Sequence, residues 1–95
     1  MASSAASAET VNVKYHGPVD LDDFQCQATT SSFVHRICYQ PRQNYVVVLL
    51  KKTYYHYCRV PSHIVKVWLS APSKGKFYIQ NIKGNFDCRL GGIPN

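Results

Sequence analysis

The sequence predicts a single α+β domain, a three-stranded antiparallel β-meander followed by two α-helices packed on one sheet face. Three observations predict it. Ninety-five residues are enough for one modest core and no more. Between Phe33 and Cys58 lie three runs of strand length, rich in β-branched and aromatic residues. At Val60-Pro61 the apolar period then changes from two to near 3.6.

Residues 1–16 are small, polar and aperiodic, and they read as a flexible N-terminal tail. Residues 17–32, "GPVDLDDFQCQATTSS", read as an acidic, turn-rich lead-in that covers or fringes the domain. The domain proper is expected over 33–90. Its first two strands are "FVHRICY" and "NYVVVLL", separated by "QPRQ", where Pro41 marks a turn. The third, "TYYHYC", is reached through Lys51 and Lys52, and short turns between successive strands make a meander. Pro61 stops the sheet because proline cannot continue a ladder, and it suits the first turn of a helix.

The first helix is expected near 61–70, with Ile64, Val65, Trp68 and Leu69 on one face and Trp68 buried against the sheet. Ala71-Pro72 interrupts it. Ser73 is the N-cap expected for a second helix through Lys83, with Tyr78 and Ile82 inward and Gly84 at its end. The tail "NFDCRLGGIPN" adds a short extended piece at most.

Charge is placed unevenly along the chain. In residues 1–30, Lys14 stands against Glu9, Asp20, Asp22 and Asp23, for a balance of −3. In residues 31–95, ten basic residues stand against Asp87 alone, for a balance of +9. A folded unit that basic favours anionic partners, either a nucleic acid or an acidic protein. No apolar run reaches the length of a membrane span, so no membrane partner is expected. The N-terminus lacks the pattern of a secretory signal, which makes the cytoplasm the expected location.

Cys26, Cys38, Cys58 and Cys88 form no Cys-x-x-Cys pair. With a cytoplasmic location, that spacing predicts reduced, buried, metal-free thiols. His56 and Cys58 lie two apart on one strand, with Cys38 as a further ligand across the sheet, but no second close pair completes a metal site. His35 and His63 read as surface residues. Acidic residues fall only in the lead-in and at Asp87, so no catalytic constellation and no cofactor are expected.

The candidate binding residues lie on and around the tyrosine-rich strand. Tyr55 and Tyr57 share one face, while Tyr54, His56 and Cys58 share the other. With Lys51-Lys52 as a two-residue turn, Leu50 opposes Thr53, Leu49 opposes Tyr54 and Val48 opposes Tyr55; one more loop residue reverses the faces. Lys-Lys lacks the chemistry of such a turn, so the register stays open at this point. Tyr55 and Tyr57 either stack on bases, with Lys51, Lys52 and Arg59 on phosphates, or pack under the helices with their hydroxyls at the rim. "SKGKFYIQNIK" offers a second anion seat at a helix start, with Lys74 and Lys76 flanking Gly75 and Lys83 further along. Its alternative is an ordinary capped helix, with Gly75 fitting against its neighbour.

"YHYCRVP" followed by "APSKGKFYIQNIK" resembles the KTSC domain, a short module found at the C-terminus of some lysyl-tRNA synthetases and as single-domain bacterial proteins. The family pattern places Tyr-x-Tyr, Val-Pro, Ser-x-Gly and Ile-Lys in that order. Here these are Tyr55 and Tyr57, Val60-Pro61, Ser73 and Gly75, and Ile82-Lys83, with "SSFVHRICY" fitting the first strand. The likeness spans about residues 30–86, while the acidic lead-in with Cys26 and the "FDCR" end depart from the pattern. The resemblance implies a small α+β fold and RNA as a partner, and it supplies no catalytic residues. The combined expectation is a non-catalytic module that binds RNA through a basic, tyrosine-bearing surface. Its alternative is an interaction domain that docks an acidic protein or self-associates.

Overall fold

A computed structural model describes residues 9–88. Within them the strands are Thr10–Val13 (β1), Gly17–Asp20 (β2), Gln25–Ala28 (β3), Val34–Gln40 (β4), Tyr45–Leu50 (β5) and Thr53–Tyr57 (β6). The helices are Ser62–Ser70 (α1) and Lys74–Phe77 (α2), and α2 runs on into a π-helical turn over Tyr78–Ile82. The chain is therefore α+β as expected, and the meander is β4-β5-β6, paired antiparallel. The three-stranded sheet is corrected to six strands in the order β2-β1-β6-β5-β4-β3. The sheet is mixed, because β1 runs parallel to β6.

The added strands come from the stretches read as tail and lead-in. Each has four residues, and all four of β3 are exposed, so no apolar alternation announces it. They are held by ladders and by local side-chain contacts. Thr29 donates its N–H to the His35 carbonyl at 3.0 Å, and its hydroxyl bonds the Val34 carbonyl. Residues 1–8 of the expected flexible tail over 1–16, and the last residues, 89–95, lie outside the described residues.

The sheet has two covered faces. On one, Ile37, Tyr39, Val46, Val48 and Leu50 pack with Val65, Trp68, Tyr78 and Ile82. On the other, Cys38, Tyr45 and Val47 join Val11, Val13 and Leu21 from the N-terminal arm, with Phe24 and Tyr54 at the margin. Double coverage explains why Val46-Val47-Val48 is apolar without alternation, like a strand buried on both faces. The arm is tied down by the Arg36 guanidinium, which forks onto Glu9 at 2.6 and 2.8 Å and reaches the Tyr54 hydroxyl at 3.1 Å. That hydrogen-bonded pair holds the Glu9 carboxyl below its usual range.

The open register is settled by the structure: Leu50 opposes Thr53, Leu49 opposes Tyr54 and Val48 opposes Tyr55. Lys51 and Lys52 do form the two-residue turn, with Lys51 in the left-handed region at φ 57°. A lysine adopts that conformation here because flanking strands, and a bond from its N–H to the Phe33 carbonyl at 3.0 Å, over-determine it.

Trp68 is fully buried, as its helical position predicts, and its indole N–H donates to the Lys74 carbonyl at 3.1 Å. Ser73 caps α2, its side chain accepting from the Lys76 N–H at 3.1 Å. The expected regular helix from 73 to 83 instead widens into a π-turn, closed by Lys83 N–H on the Tyr78 carbonyl at 2.9 Å. Gly84 then ends it at φ 82°.

The cysteines are not reduced, and that expectation is corrected. Cys26 is bonded to Cys38, and Cys58 to Cys88, which leaves no free thiol among the described residues. Sequence spacing says nothing about cross-strand proximity, and pairing of β3 with β4 sets Cys26 directly opposite Cys38. Their Cα atoms are 3.9 Å apart, as in the close, non-hydrogen-bonded pairs of an antiparallel ladder. A metal site built on Cys38 or Cys58 is excluded by the same bonds.

Trp68→Ala should lower unfolding free energy by about 3–5 kcal/mol, read as a fall in the denaturation midpoint; an unchanged midpoint would contradict the packing. A thiol reagent added to the unfolded, unreduced protein should find no reactive cysteine. Reducing both bridges should then lower the thermal midpoint, each native bridge contributing about 2–5 kcal/mol.

Candidate nucleic-acid interface

Tyr55 and Tyr57 share the helix-covered face of β6, but they meet different surroundings. Tyr57 is drawn under the helices, where its hydroxyl bonds that of Tyr78 and the rings meet edge to face, centroids 5.8 Å apart. Burial, and then the Tyr78 hydrogen bond, push the Tyr57 phenol well above its ordinary range. Tyr57 is thus half-buried against the core with its hydroxyl engaged by Tyr78, which matches the packing alternative. Tyr55 lies further toward β1 and is half-buried at the edge of the same cluster.

What stands over Tyr55 comes from the N-terminal arm. β1 and β2 form a hairpin whose loop is Lys14-Tyr15-His16, closed where Val13 pairs with Gly17. Lys14 N–H donates to the Tyr54 carbonyl at 2.9 Å and seats the loop on β6. The tip then straddles that strand. On one face, Lys14 Nζ lies 5.9 Å from the centre of the Tyr55 ring. On the other, the His16 ring meets His56 at a 30° tilt with centroids 4.9 Å apart. Tyr55 and His56 are successive residues of β6 and so point to opposite faces, which is how one loop comes to meet both.

Lys14 Nζ also lies 5.3 Å from the centre of the Tyr15 ring, so one ammonium is flanked by two aromatic rings. Tyr15 is 93% exposed and held at φ 67°, in the left-handed region that a bulky residue rarely occupies. A large exposed ring in that conformation, beside a cation, is a ready surface for a planar ligand. Lys14 and Lys52 also line an open cleft of about 520 Å³ where β1 diverges from β6, together with Thr10, Asn12 and Thr53. Every one of those side chains offers a hydrogen-bond donor, and no carboxylate lines the cleft.

The remaining candidates are scattered. Lys51 and Lys52 lie at one end of β6 and Arg59 just past the other, in a left-handed residue at φ 59°. Lys74 is half-buried, its ammonium donating to the Ala71 carbonyl at 2.8 Å beyond the end of α1. Lys76 and Lys83 are exposed on the helix layer. The proposed anion seat at the start of α2 is taken internally by Ser73. Gly75 packs on the β3–β4 connection, where a Cβ would meet Phe33 at 3.6 Å.

Lys14 and Tyr15 were missed by sequence reasoning because they fall inside the stretch read as tail. A signal was present. "TVNVKYHGPV" alternates valines and then turns at Gly-Pro, the mark of a hairpin.

Beneath the arm, Tyr45 donates or accepts at His56 Nδ1 over 2.8 Å. Burial pushes the Tyr45 phenol up to about 12. Burial, and then the neighbouring His16, lower the His56 imidazole below its usual value, so the ring resists protonation. Among the described residues, no three metal-ligating side chains stand together. No helix of the described residues is long and apolar enough to cross a membrane.

The KTSC domain family model matches residues 30–86, more than half of the chain. The crystal structure of a KTSC domain protein from Yersinia pestis superposes with a TM-score of 0.64 at 33% identity, covering 66% of this chain and 90% of that one. No curated protein matches at a significant level. The family match leaves out β1, β2 and β3, and with them the loop that brings Lys14 and Tyr15 to Tyr55.

The buried phenols make stability depend on alkaline pH. Tyr45, Tyr57 and Tyr78 have folded-state values raised above those of the unfolded chain. Their contribution is therefore complete below about pH 10, where unfolded phenols ionise, and is lost as pH rises through the folded values. The denaturation midpoint should fall steadily above about pH 10, and a flat midpoint up to about pH 11.5 would contradict the burial.

Proposed function

This chain belongs to the KTSC domain family, and on that footing we propose that it is a non-catalytic module that binds single-stranded RNA. The observation that carries the proposal is the Lys14 ammonium set between the rings of Tyr15 and Tyr55, with Lys52 lining the same cleft as Lys14. Bases stack on exposed aromatic rings, and ammonium groups at their edge meet the phosphates between them. Lys14, Lys51 and Lys52 supply charge around Tyr15 and Tyr55. Arg59, Lys76 and Lys83 add the long-range positive field of a segment with balance +9. Tyr57 supports the sheet beneath and does not itself touch the ligand. The two disulfides favour an oxidising compartment over the cytoplasm as the place where the module works.

Titration of the oxidised protein with a short single-stranded RNA at low salt should shift the resonances of Lys14, Tyr15, Lys52 and Tyr55. Tyr15→Ala or Tyr55→Ala should weaken binding by about 1–3 kcal/mol with the salt slope intact. Lys14→Ala, or Lys51→Ala with Lys52→Ala, should weaken it for every sequence and flatten the slope by about 0.7 for each phosphate no longer neutralised. Tyr57→Phe should leave binding unchanged. The absence of shifts at low salt would overturn the proposal. Equal shifts with polyglutamate would replace it with docking of an acidic protein.

A further inference from the structure

The two edges of the sheet are built differently. At the β2 edge, Pro18 removes a backbone donor and Asp20 adds charge, both common ways of keeping another strand off. The β3 edge has neither. Gln25-Cys26-Gln27-Ala28 holds no proline and no charge, all four residues are exposed, and among the described residues nothing pairs with its outer side. Because Thr29 turns its N–H toward β4, the ladder alternates so that Gln27 and Gln25 also face β4, leaving Cys26 and Ala28 with backbone groups pointing outward. The Cys26–Cys38 bridge fixes this strand in place, so the edge is preorganised.

We propose that β3 pairs antiparallel with β3 of a second copy, joining two six-stranded sheets into one across a two-fold axis. For an axis perpendicular to the sheet, opposed side chains must share a face, which limits the register. Matching the outward groups of Cys26 to those of Ala28 in the second copy sets Gln27 on the axis, facing its own symmetry mate. Two glutamine amides there satisfy each other's donors and acceptors. Cys26 faces Ala28 of the other copy on the opposite side of the sheet, without steric or charge conflict.

Charge complementarity selects a second copy over an arbitrary strand. The turn carrying the exposed Asp22 precedes β3, its neighbour Asp23 being paired with Arg42 of the same chain at 2.8 Å, and antiparallel pairing brings Asp22 past the far end of the other copy's strand. Beyond that end, which is Ala28, lies Ser31, whose hydroxyl is 3.7 Å from where a Gly75 Cβ would stand, next to the exposed Lys76. The symmetry makes this acid-to-base contact twice. A cleft of about 300 Å³ between β3 and α1, lined by Gln25, Gln27, Tyr39, Val65, Leu69 and the charged Lys66 among others, runs along the same seam. The surface is separate from Tyr15 and Tyr55, so it stands or falls independently of RNA binding.

Sedimentation equilibrium of the oxidised full chain between about 10 μM and about 1 mM should show a monomer–dimer equilibrium that weakens with salt. The amides of Cys26 and Ala28 should exchange more slowly as concentration rises. Gln27→Lys puts two ammonium groups on the axis at an exposed site, and should give a monomer with unchanged circular dichroism and thermal midpoint. Lys76→Glu should weaken the dimer at least tenfold, and Asp22→Lys in the same chain should restore part of the affinity. A wild-type monomer at about 1 mM would overturn the proposal, as would a dimer unaffected by Gln27→Lys.

Discussion

Each of the two disulfides joins a cysteine inside the family core to one outside it. Cys38 lies in β4 and Cys58 follows β6, both within residues 30–86, whereas Cys26 and Cys88 lie just beyond either end. The rest of the architecture depends on this arrangement. A core of fewer than sixty residues has little surplus stability, and a β3 strand of four exposed residues would not stay on its edge by its ladder alone. Closing segments of 12 and 30 residues contributes about 3 and about 4 kcal/mol in the chain-entropy model. Against total stabilities of about 5–15 kcal/mol, that decides whether the added segments are part of the fold.

Once the arm is fixed, it changes what the core can present. The hairpin straddles β6, placing a cation on the Tyr55 face and an imidazole on the His56 face. Without that loop, Tyr55 would be one half-buried ring at the margin of the core. With it, Tyr55 forms one side of an aromatic and cationic surface whose other side, Tyr15, stands free in solvent. The same arm covers the reverse face of the sheet with Val11, Val13 and Leu21. One short segment thus completes the second core and builds the candidate site.

The π-turn after α2 ties the helix layer to the sheet. It carries Tyr78 and Ile82 inward, and Tyr78 reaches the Tyr57 hydroxyl. Trp68 stacks against both Phe77 and Tyr78 across the α1–α2 junction, with centroids 6.3 and 6.2 Å away. An aromatic layer of this kind packs large area on stiff side chains, which suits a domain with few residues to spare. It also explains why the tyrosine nearest the helices is structural and the one nearest β1 is available.

By itself the sequence determined the class of fold, the meander, the helix positions, the burial of Trp68 and the Ser73 cap, because each follows from local periodicity or from a single residue's chemistry. The family motifs from Tyr55 to Lys83 were legible for the same reason, as they are contiguous. Which tyrosine the helix layer engages was not, since Tyr55 and Tyr57 have the same face and nearly the same neighbours in sequence. Only the tertiary structure decided it, by laying Tyr78 over one and Lys14 beside the other. The six-stranded sheet and the cysteine pairings were likewise decided at long range: β3 has no apolar face to betray it, and spacing along a chain does not encode distance across a ladder. The left-handed Lys51, which makes Lys-Lys a two-residue turn and so fixes every face of β6, is held there by the strands it connects and not by any preference of its own.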